Sequence, residues 1–495
     1  MKLNKIKNLL LVALLATTVS CGDLAVENLN NPDTERALAS SEDLRSLANG
    51  TIRDWYTSVH TYSTLQMATT VGADAATASW GNQGMQLMGT EPRPAWDNSP
   101  AAPYGSTSRV LFNSMYSINS SASDVLKSLE GGVNFGDEGS DNAMISAVSK
   151  LAQGLSIGYI GLHFDQGYIA DENTSEADLT DPTLVPYTDL MDHAVTKLEE
   201  VITIAENNTF TLDDNVIRTG GPVDNEMLEQ IAHSFIARFL AYAPRNASQN
   251  SSVDWNKVAT HAQNGTELII EVDQWDGGFW YNGAKAYLVF PGWARVDHYV
   301  INMMDPTYPA HNPNGNDYPA PDSANVVDER LLTDYEHLPS NNFRPERGLY
   351  FFSSFRYSRN DDWLGVYEGP LVEISQSELD MFRAEAHYHA GNYQAAADII
   401  NNSERITRGN MDPVSPTAEA VWQGIHHERL VEQFLTGSGN EFFHMRKNDL
   451  LQEGTALHFP IPAATLEVLG RTQPFYTFGG VENADGVNTS DGGWR

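Results

Sequence analysis

Cysteine is almost missing from this chain of 495 residues, which holds a single thiol at position 21. That excludes an intramolecular disulfide, a cysteine-based zinc site and an iron–sulfur cluster, because each needs at least two. Basic side chains are scarce as well: 30 Lys and Arg face 65 Asp and Glu, a formal net charge of −35. Such a surface repels phosphate backbones, so no nucleic acid is expected as a partner. The one apolar run of note, Leu9 to Val19, is roughly half of the ~20 residues that span a bilayer. Catalytic signatures are wanting too. There is no P-loop, no His-Glu-x-x-His and no Gly-x-Gly-x-x-Gly in a strand-turn-helix setting, and no serine nucleophile elbow is expected. His426 and His427 are adjacent, so on a helix they point about 100° apart and do not share one ion easily. "NPNGND" at 312 to 317 lacks the glutamate that closes a calcium loop and reads as a polar turn. Catalytic residues, a metal and a cofactor are therefore all absent from the expectation.

What is present begins at the N-terminus. Lys2, Lys5 and Lys7 precede the apolar run, and Thr17, Thr18, Val19 and Ser20 lead into Cys21. This is the layout of a secretory signal over 1–20. The small-residue box before Cys21 resembles a bacterial lipobox, which implies lipidation of Cys21 and anchoring by several acyl chains at ~0.8 kcal/mol per buried methylene. The polar stretch 21–34, broken by Asn-Asn-Pro, reads as a lipid-anchored tether, and 35–495 as one folded domain.

Helical periodicity dominates that domain. Ser41, followed by Glu42 and Asp43, is the expected N-cap of a first helix with Leu44, Leu47 and Ala48 on its apolar face. Residues 187 to 206 repeat apolar side chains at three and four, with Asp192, Lys197, Glu199 and Glu200 mostly facing away. Residues 226 to 243 form another helix, stopped by Pro244, and a shorter one starts at Asp254. Two helix pairs share a design: "FIARFLAYA" followed by "DWNKVATHA", and "LDMFRAEAHYHA" followed by "GNYQAAADII". In each a cap, Asp254 or Asn392, precedes an aromatic plug, Trp255 or Tyr393, and then small alanines. That is the layout of a tetratricopeptide-type hairpin, whose apolar face needs a neighbour. With segments 110 to 130 and 143 to 165, about four pairs are expected. The fold class is mainly α, a helical-repeat scaffold with an irregular, loop-rich lobe. Two regions, 72–108 and 273–370, supply that lobe; they are dense in Gly, Pro and Asn, and their tryptophans argue against disorder.

The C-terminal stretch "HHERLVEQFLTGSGNEFFHMRKNDLL", followed by "FPIPAATLEVL", resembles the closing signature of the SusD/RagB family. Glu428-Arg429, Glu432, Gly437, Phe443, Arg446 and Pro460-Ile461-Pro462 carry the match; Thr436, Asn440, His444 and Met445 depart from it. "SSEDLRSLANGTIRDWY" is similar to that family's opening helix. The resemblance implies an outer-membrane, cell-surface lipoprotein that captures a glycan or peptide and passes it to a SusC-like TonB-dependent transporter, without catalysis. It also implies that the ligand face comes from the two loops. Trp80, Trp96 and Asn98 of the first, with Asp74 and Arg93, and Trp275, Trp280, Tyr281 and Trp293 of the second, are the expected contacts, since aromatic faces stack on sugar rings while polar neighbours bond hydroxyls. Trp255, Tyr393 and the Glu428-Arg429 pair are expected to pack the scaffold. A lipid-anchored surface glycoside hydrolase is the alternative, because 65 acidic residues allow many carboxylate pairs.

Overall fold

A computed structural model describes residues 40–78, 81–273, 280–310, 325–339 and 352–494. The signal segment, the tether and "NPNGND" lie outside the described residues, as do Trp80 and Trp275. The principal helices are α1 (Ser41–His60), α2 (Leu65–Gly72), α3 (Gly105–Glu130), α4 (Asn142–His163), α5 (Tyr187–Asn207), α6 (Asn225–Tyr242), α7 (Trp255–Asn264), α8 (Gly283–Val289), α9 (Gln376–His389), α10 (Tyr393–Asn401), α11 (Ala418–Leu430) and α12 (Asn440–Lys447). Among the described residues, no helix is long and apolar enough to cross a membrane.

The long helices form an array in which each packs on the next: α1 on α3, then α3, α4, α5, α6, α7, α9 and α10 in order, with α11 closing against α9 and α10. This is the mutual covering of apolar faces that helix-pair repeats require. α4 lies deepest: from Ala147 to His163 every residue but Lys150 is buried, so it is covered on all sides. Three glycines on it admit close neighbours. A Cβ at Gly158 would sit 2.2 Å from Phe239 of α6, and one at Gly154 2.7 Å from Leu198 of α5.

Local signals set the helix ends. Asp224 and Asp254 cap α6 and α7 by accepting the Met227 and Lys257 amides at 2.9 and 3.0 Å. Asn392 caps α10 in the same way, after Gly391 turns the chain at φ 73°. The first cap differs from the sequence expectation: Ser40, not Ser41, accepts the Asp43 amide, and Leu47 stays partly exposed while Leu44 and Ala48 are buried. Lys197 also departs, since it turns inward to Asp171 and Glu172 at 3.2 and 3.4 Å. Trp255 is buried as a plug, with its indole N–H on the Asn250 carbonyl. Tyr393 is only half-buried and leans on Tyr388 at the rim of a smaller apolar cluster.

Four antiparallel two-stranded ladders organise the rest: β1 (Ala76–Ala78) with β5 (Ala294–Val296), β2 (Gln166–Tyr168) with β3 (Leu184–Pro186), β4 (Leu268–Asp273) with β8 (Glu368–Ile374), and β6 (Tyr335–His337) with β7 (Phe355–Tyr357). The β4–β8 register ends on Asp273 opposite Glu368. The excursion 273–370 thus leaves and rejoins the scaffold through one neck. The β1–β5 register sets Ala78 opposite Ala294, which joins the first irregular region to the second.

Candidate functional site

The β1–β5 ladder builds the site, because it places the ends of both predicted loops side by side. Trp293 immediately precedes β5 and is 38% exposed. Its ring lies 4.3 Å from Phe290 and 5.2 Å, nearly parallel, from Tyr287 of α8. Tyr287 in turn meets Tyr62 at 5.4 Å, and the Tyr62 hydroxyl accepts the Asn82 amide at 2.7 Å. A tryptophan held by two aromatic neighbours, with a large part of its surface in water, is a rigid apolar platform beside polar groups. Tyr281 is half-buried at the start of α8, and burial raises its hydroxyl pKa. Its ring folds over Gly283, where a Cβ would come within 2.6 Å of it.

The other expected contacts sit inside. Trp280 is 1% exposed, packed on Tyr56, and its carbonyl accepts the Asp273 amide. Asp74, at φ 54°, accepts from Arg93 at 2.7 Å, Gln452 at 3.0 Å and the Trp494 indole at 2.7 Å. Trp96 is buried edge-on against Phe459 at 4.8 Å, and its backbone amide donates to Phe478. Asn98 donates to the carbonyls of Ile461 and Tyr476 and accepts the Ala463 amide. Asp74, Arg93, Trp96 and Asn98 thus fasten the tail, including Pro460-Ile461-Pro462, to the first irregular region. None of the four offers a free aromatic or amide face to solvent in this conformation. Tyr62, Asn82, Tyr287 and Phe290 were not anticipated. Only the aromatic spacing Tyr281, Tyr287, Phe290, Trp293 hinted at a clustered face.

The histidine pair and the C-terminal signature are also structural. His426 contacts the Tyr299 hydroxyl and His444, whereas His427 contacts Asp328, so the two imidazoles serve different neighbours. Glu428 accepts from Arg330 at 2.7 and 2.9 Å. The Arg429 guanidinium lies over Phe382 at 4.2 Å, and Arg446 donates to the carbonyls of Leu162, Leu457 and Tyr242. Among the described residues no three His, Cys, Asp or Glu side chains are grouped to hold a metal ion. Gly154-Leu155-Ser156-Ile157-Gly158 spells Gly-x-Ser-x-Gly but forms no nucleophile elbow. It lies in mid-α4, where Ser156 is buried and bonded to the Ala152 carbonyl at 2.7 Å, not on the exposed strand-to-helix turn that a nucleophile needs.

No protein-family model and no curated protein sequence matches the chain. Solved structures do. A SusD superfamily protein from Parabacteroides distasonis is 13% identical with a TM-score of 0.59, covering 89% of this chain and 99% of that one. A SusD superfamily protein from Bacteroides vulgatus is 14% identical with a TM-score of 0.58, covering 87% and 97%. Surface glycan-binding protein A from Bacteroides thetaiotaomicron, in complex with laminarihexaose, is 15% identical with a TM-score of 0.56, covering 88% and 99%. Likeness at these identities is likeness of fold, and it runs through nearly the whole of each chain: by fold, this protein is SusD-like.

Proposed function

We propose that the chain is a non-catalytic glycan-binding protein, whose ligand face is the aromatic platform of Trp293 with Tyr281 and the loops flanking β1 and β5. One observation carries this reading: Trp293 is rigidly backed, exposed, and set where both irregular regions meet on a scaffold shared with a laminarihexaose-binding protein. Trp80 and Trp275, expected from the sequence as further contacts, lie outside the described residues. The sequence adds the rest: Cys21 as the acylated first residue of the mature protein, the outer membrane as its location, and a TonB-dependent transporter as the recipient of the captured oligosaccharide or peptide.

The test is titration of the mature chain with laminari-oligosaccharides and a wider glycan panel, followed by chromatography of the incubated ligand. Saturable binding with unchanged ligand is expected. Trp293→Ala should weaken it at least about tenfold, which corresponds to ~1.4 kcal/mol. Release of shorter sugars at enzyme-like rates would instead make the protein a surface hydrolase. Cys21→Ser should free the protein from the membrane, and pull-down of the wild type should bring the transporter with it.

A further inference from the structure

A cavity opens on the scaffold, between α3 and the segment that runs from β2 to Leu179, on elements that contribute nothing to the Trp293 platform. It holds about 270 Å³, just below the ~300–1,000 Å³ typical of ligand sites, so it suits one small ring or a short chain. Tyr168 of β2 forms one wall. Tyr116 of α3 stacks on that ring at 3.8 Å with planes 8° apart, and the Tyr116 hydroxyl both donates to the Tyr168 carbonyl and accepts its amide. The ring is thus fixed from behind, yet Tyr168 stays half-buried, and its own hydroxyl has no hydrogen-bond partner among the described residues.

Charge in this cavity is answered unevenly. Glu172 accepts from Lys150 at 2.6 Å and from Gln153 at 2.9 Å, and Asp171 accepts from Lys197 at 3.2 Å, so both of these carboxylates are paired. Asp124 of α3 is not. It is half-buried, and among the described residues no donor bonds its carboxylate and no cation pairs with it. Lys127, one turn further on, stays exposed to water. Burial raises the Asp124 pKa, and the Lys127 charge offsets this only in part. A carboxylate drawn from water without a donor is held at a cost, which a ligand bringing both a donor and a positive charge removes. The tyrosine beside it attracts the same kind of group, since the negative face of the ring favours a cation.

We propose that this cavity is a binding site for a small primary ammonium ligand: the ammonium on the Asp124 carboxylate, with the carbon frame against Tyr168. The site goes beyond the glycan face and does not rest on it. Two sources carry this chemistry, an unacetylated amino-sugar residue and an alkyl amine. For the first, the Tyr168 hydroxyl is a ready partner for ring hydroxyls. A neutral sugar brings the donor without the charge, and an anion is repelled.

The experiment titrates the mature chain with methyl glucosaminide, methyl glucoside, methyl N-acetylglucosaminide and cadaverine, read by saturation-transfer NMR at ~0.15 M salt, which screens diffuse attraction to the acidic surface. At least one ammonium ligand should bind saturably, and the two uncharged glycosides at least tenfold more weakly. Asp124→Asn, which keeps size and shape, should lower ammonium binding at least tenfold, and Tyr168→Leu should weaken it several-fold. Lys127→Ala should leave it unchanged or tighten it, because a like charge is gone, and Trp293→Ala should leave it unchanged. The Asp124 carboxylate bonds no described residue, so the asparagine variant is expected to fold; thermal unfolding checks this, and Asp124→Ser carries the same expectation if it does not. Cadaverine bound as tightly as the glucosaminide, or more so, assigns the site to alkyl amines, and tighter binding of the glucosaminide assigns it to an amino-sugar residue; both support the inference. Binding by neither ammonium ligand overturns it. So does equal binding of an uncharged glycoside, or ammonium binding that survives Asp124→Asn, which would place it on the acidic surface at large. Loss of oligosaccharide binding in Trp293→Ala, with ammonium binding kept, separates this site from the platform.

Discussion

Glu373 is buried near the end of β8, where Arg238 and His60 meet it. Arg238 of α6 donates to its Oε1 at 2.6 Å and to its carbonyl, and His60 of α1 lies 2.7 Å from its Oε2. Arg238 also reaches Glu378 at 2.7 and 2.9 Å, so one guanidinium ties α6 to both β8 and α9, 135 to 140 positions further on. Burial works to raise the Glu373 pKa, but its contacts with His60 and Arg238 outweigh burial and hold it below its ordinary value. Removing one partner strands the other charges in the interior, which costs ~3–5 kcal/mol. Arg238→Met is therefore expected to lower unfolding free energy by about that much in urea titrations, while Arg53→Ala, whose Asp54 partner is well exposed, should change it by less than ~1 kcal/mol. Equal effects from the two would refute the role given to Arg238. The same scale explains what was illegible in the candidate site. Asp, Arg, Trp and Asn are the residue types that bind sugars and also the types that fasten loops. Asp74 and Asn98 act on Gln452, Ile461, Tyr476 and Trp494, more than 350 positions away. No spacing in the sequence announces such partners. Trp293 was legible as a candidate, but not as the one tryptophan among the described candidates that keeps a large exposed surface.

At the scale of elements, periodicity revealed α5, α6, α7, α9 and α10 nearly to their ends, since an amphipathic face is written in the local sequence. The β4–β8 and β1–β5 ladders were not visible. Three-residue strands are too short to show alternation, and β8 follows β4 only after the whole excursion. The inward turn of Lys197 was hidden for the related reason that its carboxylate partners lie on the preceding loop. Packing between elements offers a sharp test. The Cβ added by Gly158→Ala would sit 2.2 Å from Phe239 Cε2. Either α4 and α6 separate or Phe239 leaves its rotamer, and overpacking of this kind costs ~1–3 kcal/mol. Gly365, in the helix Asp361–Val366, has nothing within 4 Å of its added Cβ. Gly365→Ala should be neutral or stabilising by up to ~1 kcal/mol, because it restricts the unfolded chain. Thermal unfolding should come earlier for Gly158→Ala and not for Gly365→Ala, and a Gly158→Ala protein as stable as wild type would mean that α4 and α6 pack more loosely than described.

For the whole molecule, charge and burial together set the response to acid. Histidines His163 and His426 are buried and held down to about 3, and burial lowers His444 well below its ordinary value too. In the unfolded chain each titrates near ~6.5. Below that pH the unfolded state binds protons that the folded state refuses, so stability falls as pH falls. At pH 5.5 each costs ~1.4 kcal/mol relative to pH 7.5, about 4 kcal/mol for the three. Glu441 acts in the opposite sense: burial raises its carboxyl to about 7, so folding takes up a proton between ~4.5 and 7 and gains about 2 kcal/mol on the same descent. The excess of negative charge changes little in this window, because most of the 65 carboxylates titrate lower. The balance favours the histidines. Urea midpoints measured at pH 7.5, 6.5 and 5.5 should decline, with most of the loss below 6.5, and Glu441→Gln should steepen the decline by removing the opposing proton uptake. Midpoints that rise toward pH 5.5 would mean that these imidazoles are not buried neutral in the folded array.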